Sequence, residues 1–243
     1  MIKIFSNFEE LYDFAAARFV ALAQAAVKKR RQFTVALSGG STPKALYELL
    51  ANENFSGAVD WQRVRFFFGD ERNVLPDEDE SNFLMANTTL FQPLKIAENQ
   101  IYRWQTEIEP PENIAADYAR NIENFFHGFP KFDLILLGMG DDGHTASLFP
   151  FTEALHETEK IACANFVEKL NTTRLTLTFP VINNARNALF LVKGADKCEI
   201  LREVLEGGWQ PEKFPSQAVK LTDGELLWLV DEPAAQSLTA EIN

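Results

Sequence analysis

Cysteine is nearly absent: Cys163 and Cys198 are the only two in 243 residues, each alone in an apolar or helical context. A disulfide framework and a thiolate metal site are therefore excluded as organising features, and the pattern suits a reducing cytosol. Basic residues are also in short supply, with 23 Lys and Arg against 35 Asp and Glu and a net charge of −12. Such a surface repels nucleic acid and anionic membranes, because phosphate neutralisation needs a basic footprint. Any anionic ligand must meet a local positive pocket instead. No uncharged apolar run reaches the ~18 residues needed to span a bilayer, and MIKIFSNFEELYDF lacks a basic segment leading into an apolar core. A soluble, cytoplasmic protein is expected. Repeats, low-complexity tracts and linkers are missing too, so a single α/β domain over residues 1–243 is expected, with 46% hydrophobic residues to fill its core.

What is present alternates. After a short apolar segment at 2–5, the spacing of Phe8, Leu11, Phe14, Ala15, Phe19, Leu22 and Ala26 predicts a long amphipathic helix over 8–30, closed by KKRR at its negative end. Strands are predicted at 33–38, 64–68, 133–138, 174–179, 188–193 and 226–231, and helices at 112–126 and 195–206 among others. Most of these strands are continuous apolar runs, which predicts a three-layer α/β fold: a mainly parallel, Rossmann-like sheet covered by helices on both faces. The acidic stretch PDEDES at 76–81 reads as a solvated loop or an anionic lip.

Three turns follow predicted strands. SGGSTP at 38–43 leads into a helix with Pro43 at its first position and Thr42 as N-cap. Free N–H groups and the positive helix end would converge there, Gly39 and Gly40 would admit an anion closely, and Ser41 and Thr42 would donate hydroxyls. The spacing is not GxxxxGK[ST], so one phosphate fits better than a triphosphate; a tight capped turn with no ligand explains the same residues. GDER at 69–72 places charges past a strand end, where open α/β sheets bind ligands; a local ion pair is the alternative. GMGDDGH at 138–144 has the glycines of a dinucleotide cradle, yet Asp141 and Asp142 would repel a pyrophosphate, and the acids about 20 residues on flank only a weak strand. One of only three histidines, His144, follows those aspartates. A carboxylate can fix its tautomer and leave the other nitrogen as a base, although a lone histidine is more often structural.

Taken together, LSGGSTPKALYELL, FFFGDERNV, FDLILLGMGDDGHTASLFP and RLTLTFPVINNA resemble the 6-phosphogluconolactonase family, in the family's order across nearly the whole chain. The resemblance implies a fold shared with glucosamine-6-phosphate isomerases. It implies hydrolysis of 6-phospho-D-glucono-1,5-lactone to 6-phosphogluconate in the oxidative pentose phosphate pathway, with no cofactor and no metal. By position, it assigns Gly39, Gly40, Ser41 and Thr42 to the 6-phosphate, with Arg72, Arg174 and Lys197 as cations and Asp70 as a weaker substrate contact. It assigns His144 as general base and Asp142 as the group that orients its ring. The partner is a phosphorylated sugar lactone; nothing in the chain separates monomer from dimer.

Two rival readings are weaker. An amino-sugar phosphate isomerase-deaminase shares SGGSTP and DGH, but its segment after the histidine leads to a glutamate that assists ring opening, where this chain has Phe149 in HTASLFP. A sugar-phosphate sensor of a transcription regulator would need a DNA-binding segment, and no basic helix-turn-helix candidate precedes residue 33; KKRR is explained as partners of the helix dipole.

Overall fold

A computed structural model describes residues 1–239. Its main sheet has six strands, all parallel, in the order β1 (Ile2–Phe5), β9 (Glu225–Asp231), β8 (Asn187–Val192), β5 (Leu134–Leu137), β2 (Phe33–Leu37), β3 (Val64–Phe68). Every residue of β2 and β5 is buried, as expected of strands covered on both faces. The four longer helices are α1 (Phe8–Arg30), α2 (Ser41–Ala51), α3 (Pro111–Phe126) and α4 (Cys198–Leu205).

Local chemistry explains the element ends. Asn7 caps α1 by accepting the Glu10 N–H at 2.9 Å, Glu9 and Glu10 occupy the first turn, and Lys28, Lys29 and Arg30 the last. Leu11, Ala15, Phe19, Ala23 and Ala26 bury one stripe of the helix, and the Phe19 ring meets Phe33 of β2 edge-on at 5.2 Å. Elsewhere the core is aromatic: Phe67 contacts Tyr102, Phe125, Phe126 and Phe132, and Phe190 stacks on Trp228 at 3.7 Å. Among the described residues, no helix is long and apolar enough to cross a membrane.

Strand order decides where a ligand can enter. From β2 the chain moves outward to β3, whereas from β5 it moves the other way, to β8 and β9. The β2/β5 boundary is thus the topological switch point, where the connections diverge and leave a crevice beyond the carboxyl ends. The turns at 38–43 and 138–144 both leave strands at that boundary.

Two sequence expectations change. The strand predicted at 174–179 is β7 (Thr172–Leu177), and it lies outside the parallel sheet, in a small antiparallel sheet ordered β4 (Asp70–Arg72), β7, β6 (Ala162–Val167). The link between β6 and β7, residues 168–171, is far too short for the crossover that parallel pairing demands. Gly69 joins the two sheets: its N–H donates to Leu37 C=O and its C=O accepts from Leu177 N–H, each at 2.8 Å. Helix α2 also begins earlier than expected. Its N-cap is Gly40 with φ 100°, a backbone that disfavours any side chain, so Ser41 is already helical and Thr42 is not the cap.

Candidate active site

The β2 turn is held from below. The buried Tyr47 hydroxyl donates to Ser38 C=O at 2.8 Å and accepts from Ser38 N–H at 3.0 Å, which fixes where the strand stops. At Gly39 a Cβ would lie 2.0 Å from Asn82 Oδ1, so only glycine lets the turn pass Asn82. Pro43 has no N–H and Lys44 N–H returns to Gly40 C=O at 3.1 Å, which leaves the Ser41 and Thr42 N–H groups facing out of the first turn. Gly40, Ser41, Lys44, Arg72 and Asn82 line one cleft of about 480 Å³, with Asp79, Glu80 and Ser81 from the acidic stretch on its rim.

Cations enter this region from the small sheet. Arg72 of β4 and Arg174 of β7 are directly opposed in the antiparallel register, so both side chains project from one face. Arg72 donates to Glu80 C=O, and among the described residues neither guanidinium is in an ion pair. Burial, then the neighbouring Arg72 charge, pulls the Arg174 pKa down. Asp70, Glu80 and Glu71 act on Arg174 in the opposite sense, so the two like charges stand side by side among nearby carboxylates but in close ion pair with none of them.

Their neighbours in GDER are occupied differently. Asp70 is buried and accepts the Ser147 hydroxyl at 2.7 Å. Glu71 is buried on the opposite face and accepts the N–H groups of Arg72, Asn82 and Phe83 at 2.7 to 2.9 Å, which anchors the short helix Asn82–Ala86. Burial pushes its carboxyl up to about 7 against those three donors.

Around His144 the turn is built to set one imidazole. Asp142 Oδ1 lies 2.6 Å from His144 Nδ1 and accepts the His144 N–H at 3.2 Å. Burial opposes the charge on Asp142, but the His144 contacts and the Lys169 ammonium outweigh it and hold the carboxyl well below the usual range. An ionised carboxylate can only accept, so Nδ1 carries the proton and Nε2 presents a lone pair. A Cβ on Gly140 would fall 2.1 Å from the ring, and Gly143 bends the turn with φ 78°. The imidazole stacks on the Phe149 ring at 3.9 Å. Gly140 of GMGDDGH thus makes room for a histidine.

Ser147 joins this turn to the small sheet. Its hydroxyl donates to Asp70 of β4, its N–H to Thr176 Oγ1 of β7 at 3.3 Å, and its C=O accepts Asn165 Nδ2 of β6 at 2.9 Å. Asp70, Thr176, Arg72, Arg174 and Asn165 project from the same face by register and alternation. The segment after His144 therefore lies on the face that carries both arginines.

Lys197 is placed differently from the other assigned cations. It stands beyond the carboxyl end of β8, its ammonium 3.7 Å from Asp196, and among the described residues no hydrogen bond or ion pair joins it to Arg72, Arg174 or His144. Sequence reasoning missed Asn82, Phe149 as a stacking partner, and Lys169; Lys44, in the cleft beside Arg72, was visible only as the residue after STP. Asp141, Asp142 and His144 lie close enough together to ligate a metal ion. Yet the Lys169 ammonium, 3.1 Å from Asp142 and 3.7 Å from Asp141, already supplies a positive charge there.

Residues 6–228 match the family model described as glucosamine-6-phosphate isomerases/6-phosphogluconolactonase. A 6-phosphogluconolactonase of Synechocystis sp. is 42% identical over 217 residues, 88% of each chain, and that of Homo sapiens is 38% identical over 98% of this chain and 94% of its own. Among solved structures, 6-phosphogluconolactonase from Trypanosoma cruzi superposes with a TM-score of 0.88 at 29% identity, over 98% of this chain and 97% of that one. The chain belongs to the family of glucosamine-6-phosphate isomerases and 6-phosphogluconolactonases.

Proposed function

We propose that this protein hydrolyses 6-phospho-D-glucono-1,5-lactone to 6-phosphogluconate, with His144 as general base. The observation that carries the reading is the Asp142–His144 pair at the switch point, whose following segment is bonded through Ser147 to the sheet face that presents Arg72 and Arg174. In this reading the ester dianion sits against the N–H groups and hydroxyls of Ser41 and Thr42 and the guanidinium groups, which offset the repulsion of a −12 chain. His144 Nε2 takes a proton from a water that attacks the lactone carbonyl. A cation or backbone N–H stabilises the oxyanion, the bond from the carbonyl carbon to the ring oxygen breaks, and the imidazolium returns its proton to that departing oxygen, which becomes the 5-hydroxyl. A lactone is already activated, so this apparatus suffices without a metal or cofactor.

Phe149 supports hydrolysis over amino-sugar isomerisation. It packs an aromatic face on the imidazole where the isomerase-deaminases carry the ring-opening glutamate.

The test follows acid release from fresh 6-phosphogluconolactone above the spontaneous rate, alongside the unphosphorylated lactone. The phosphorylated substrate should be strongly preferred. His144→Ala should lower kcat by roughly 10² to 10⁴-fold while KM changes little; near-full turnover in that variant removes His144 from the role. Ammonia release from glucosamine 6-phosphate should be absent, and strong release would reassign the chain within its family.

A further inference from the structure

The hairpin between β6 and β7 reaches across to the His144 turn. Its tip, Glu168–Leu170, is a single 3₁₀ turn closed by Asn171 in the left-handed region (φ 48°), and this turn aims Lys169 at the two aspartates. The Lys169 ammonium donates to Asp142 Oδ2 at 3.1 Å and stands 3.7 Å from Asp141 Oδ1. Asp142 thus divides its oxygens, Oδ1 to the imidazole and Oδ2 to the ammonium.

We propose that Lys169 is a positioning residue for the base: it locks the Asp142 carboxylate in the plane His144 needs and offsets its charge, so the imidazole stays oriented and available to accept a proton. This rests on the reading of His144 as the base.

Two physical consequences separate this role from a surface ion pair. A carboxylate held at one oxygen swings about its Cβ–Cγ bond, while one held at both oxygens does not. An unneutralised carboxylate 2.6 Å from an imidazole favours the imidazolium, and a cation on its far oxygen opposes that. The same hairpin carries Arg174, and its Asn165 holds Ser147, so one element couples the arginine pair to the base. Asp142 and Lys169 line a second cleft, of about 910 Å³, whose other charged groups are Glu112 of α3, Glu153, Glu168 of the hairpin tip and Lys213 before the turn at 215–218. Among the described residues, none of these four bonds to Asp142 or His144.

The experiment compares Lys169→Met, which keeps the stem and removes the charge, with Lys169→Arg and with Lys213→Met, which alters a cleft lysine that does not touch Asp142. The first readout is the pH midpoint of the His144 imidazole resonance by NMR in unliganded protein, which needs no substrate. In Lys169→Met it should move upward; Lys169→Arg and Lys213→Met should stay at the wild-type midpoint. The second is the profile of kcat/KM against pH. Lys169→Met should lose about three- to tenfold near pH 6.5 and less than twofold near pH 8.5, through kcat with KM unchanged. An unmoved imidazole midpoint in Lys169→Met overturns the proposal, as does a loss expressed only in KM or a shift that arginine fails to restore. A protein whose midpoint moves but which never hydrolyses the lactone retains the Lys169 role and loses the proposed function.

Discussion

Two carboxylates in this protein, the half-buried Asp142 and the buried Glu71, are driven in opposite directions by their surroundings. Asp142 has an imidazole, an ammonium and an N–H group against its oxygens and is held down as an anion, whereas Glu71 has three N–H donors but greater burial, and its carboxyl rises to about 7. The sign of the linkage follows for Glu71. Its folded value lies above its reference value of 4.5, so the folded chain keeps a proton that the unfolded chain has released. That contribution to stability is complete below about pH 4.5 and is lost as pH rises through about 7. Glu71→Gln removes it. Thermal denaturation over pH 4 to 8 should show the stability of wild type relative to the variant falling across that window; parallel curves would show that the three N–H donors fully offset burial.

At the scale of elements, the site depends on turns that only glycine permits. Gly140 is the sharpest case, because a methyl group there would overlap the imidazole at 2.1 Å while the turn's own hydrogen bond, Gly140 N–H to His144 C=O at 2.9 Å, could persist. Gly140→Ala should therefore move the ring off Asp142 and reduce kcat by about 10² to 10⁴-fold, as loss of a general base does. Steady-state kinetics beside a melting curve will check this: a large fall in kcat with a melting temperature near wild type is the expected pair, and full activity would mean that the ring has room to move. Some of this was legible in the order of residues. SGGSTP read as a strand, a glycine turn and a helix, and GMGDDGH as a turn that sets a histidine. The start of α2 was misplaced because Pro43 is acceptable anywhere in a first turn, and the conformation of Gly40 decided between the possibilities. Strand β7 was legible as a strand but its sheet was not, since RLTLTF has no feature that separates a parallel from an antiparallel neighbour.

On the scale of the whole molecule, the site rests on a core packed by rings. Phe67 is fully buried and touches four other aromatic side chains, in the strand that leads through Gly69 into the arginine-bearing sheet. Phe67→Ala should cost roughly 3 to 5 kcal/mol through lost contacts and the cavity left behind. For a chain of this length that lowers the melting temperature by about 6 to 20 °C. The folded fraction assayed well below the transition should keep its kcat, since no ring of that cluster touches His144; a proportionate loss of kcat would mean that the strand end shifts with the core.

The amino-acid order by itself determined the α/β class, the buried strands, the glycine turns and the candidacy of His144 with Asp142. Each of these signals is local, written in a periodicity or in turn chemistry within a few residues. Tertiary structure alone decided that β2 and β5 flank the switch point and that Arg72 faces Arg174 across a second sheet. It also decided that Ser147 is held by three strands and that Lys169 reaches Asp142 from a hairpin 27 residues away. These contacts join residues far apart in the chain, and which of the available partners meet is set by strand order and register, quantities that no single segment carries.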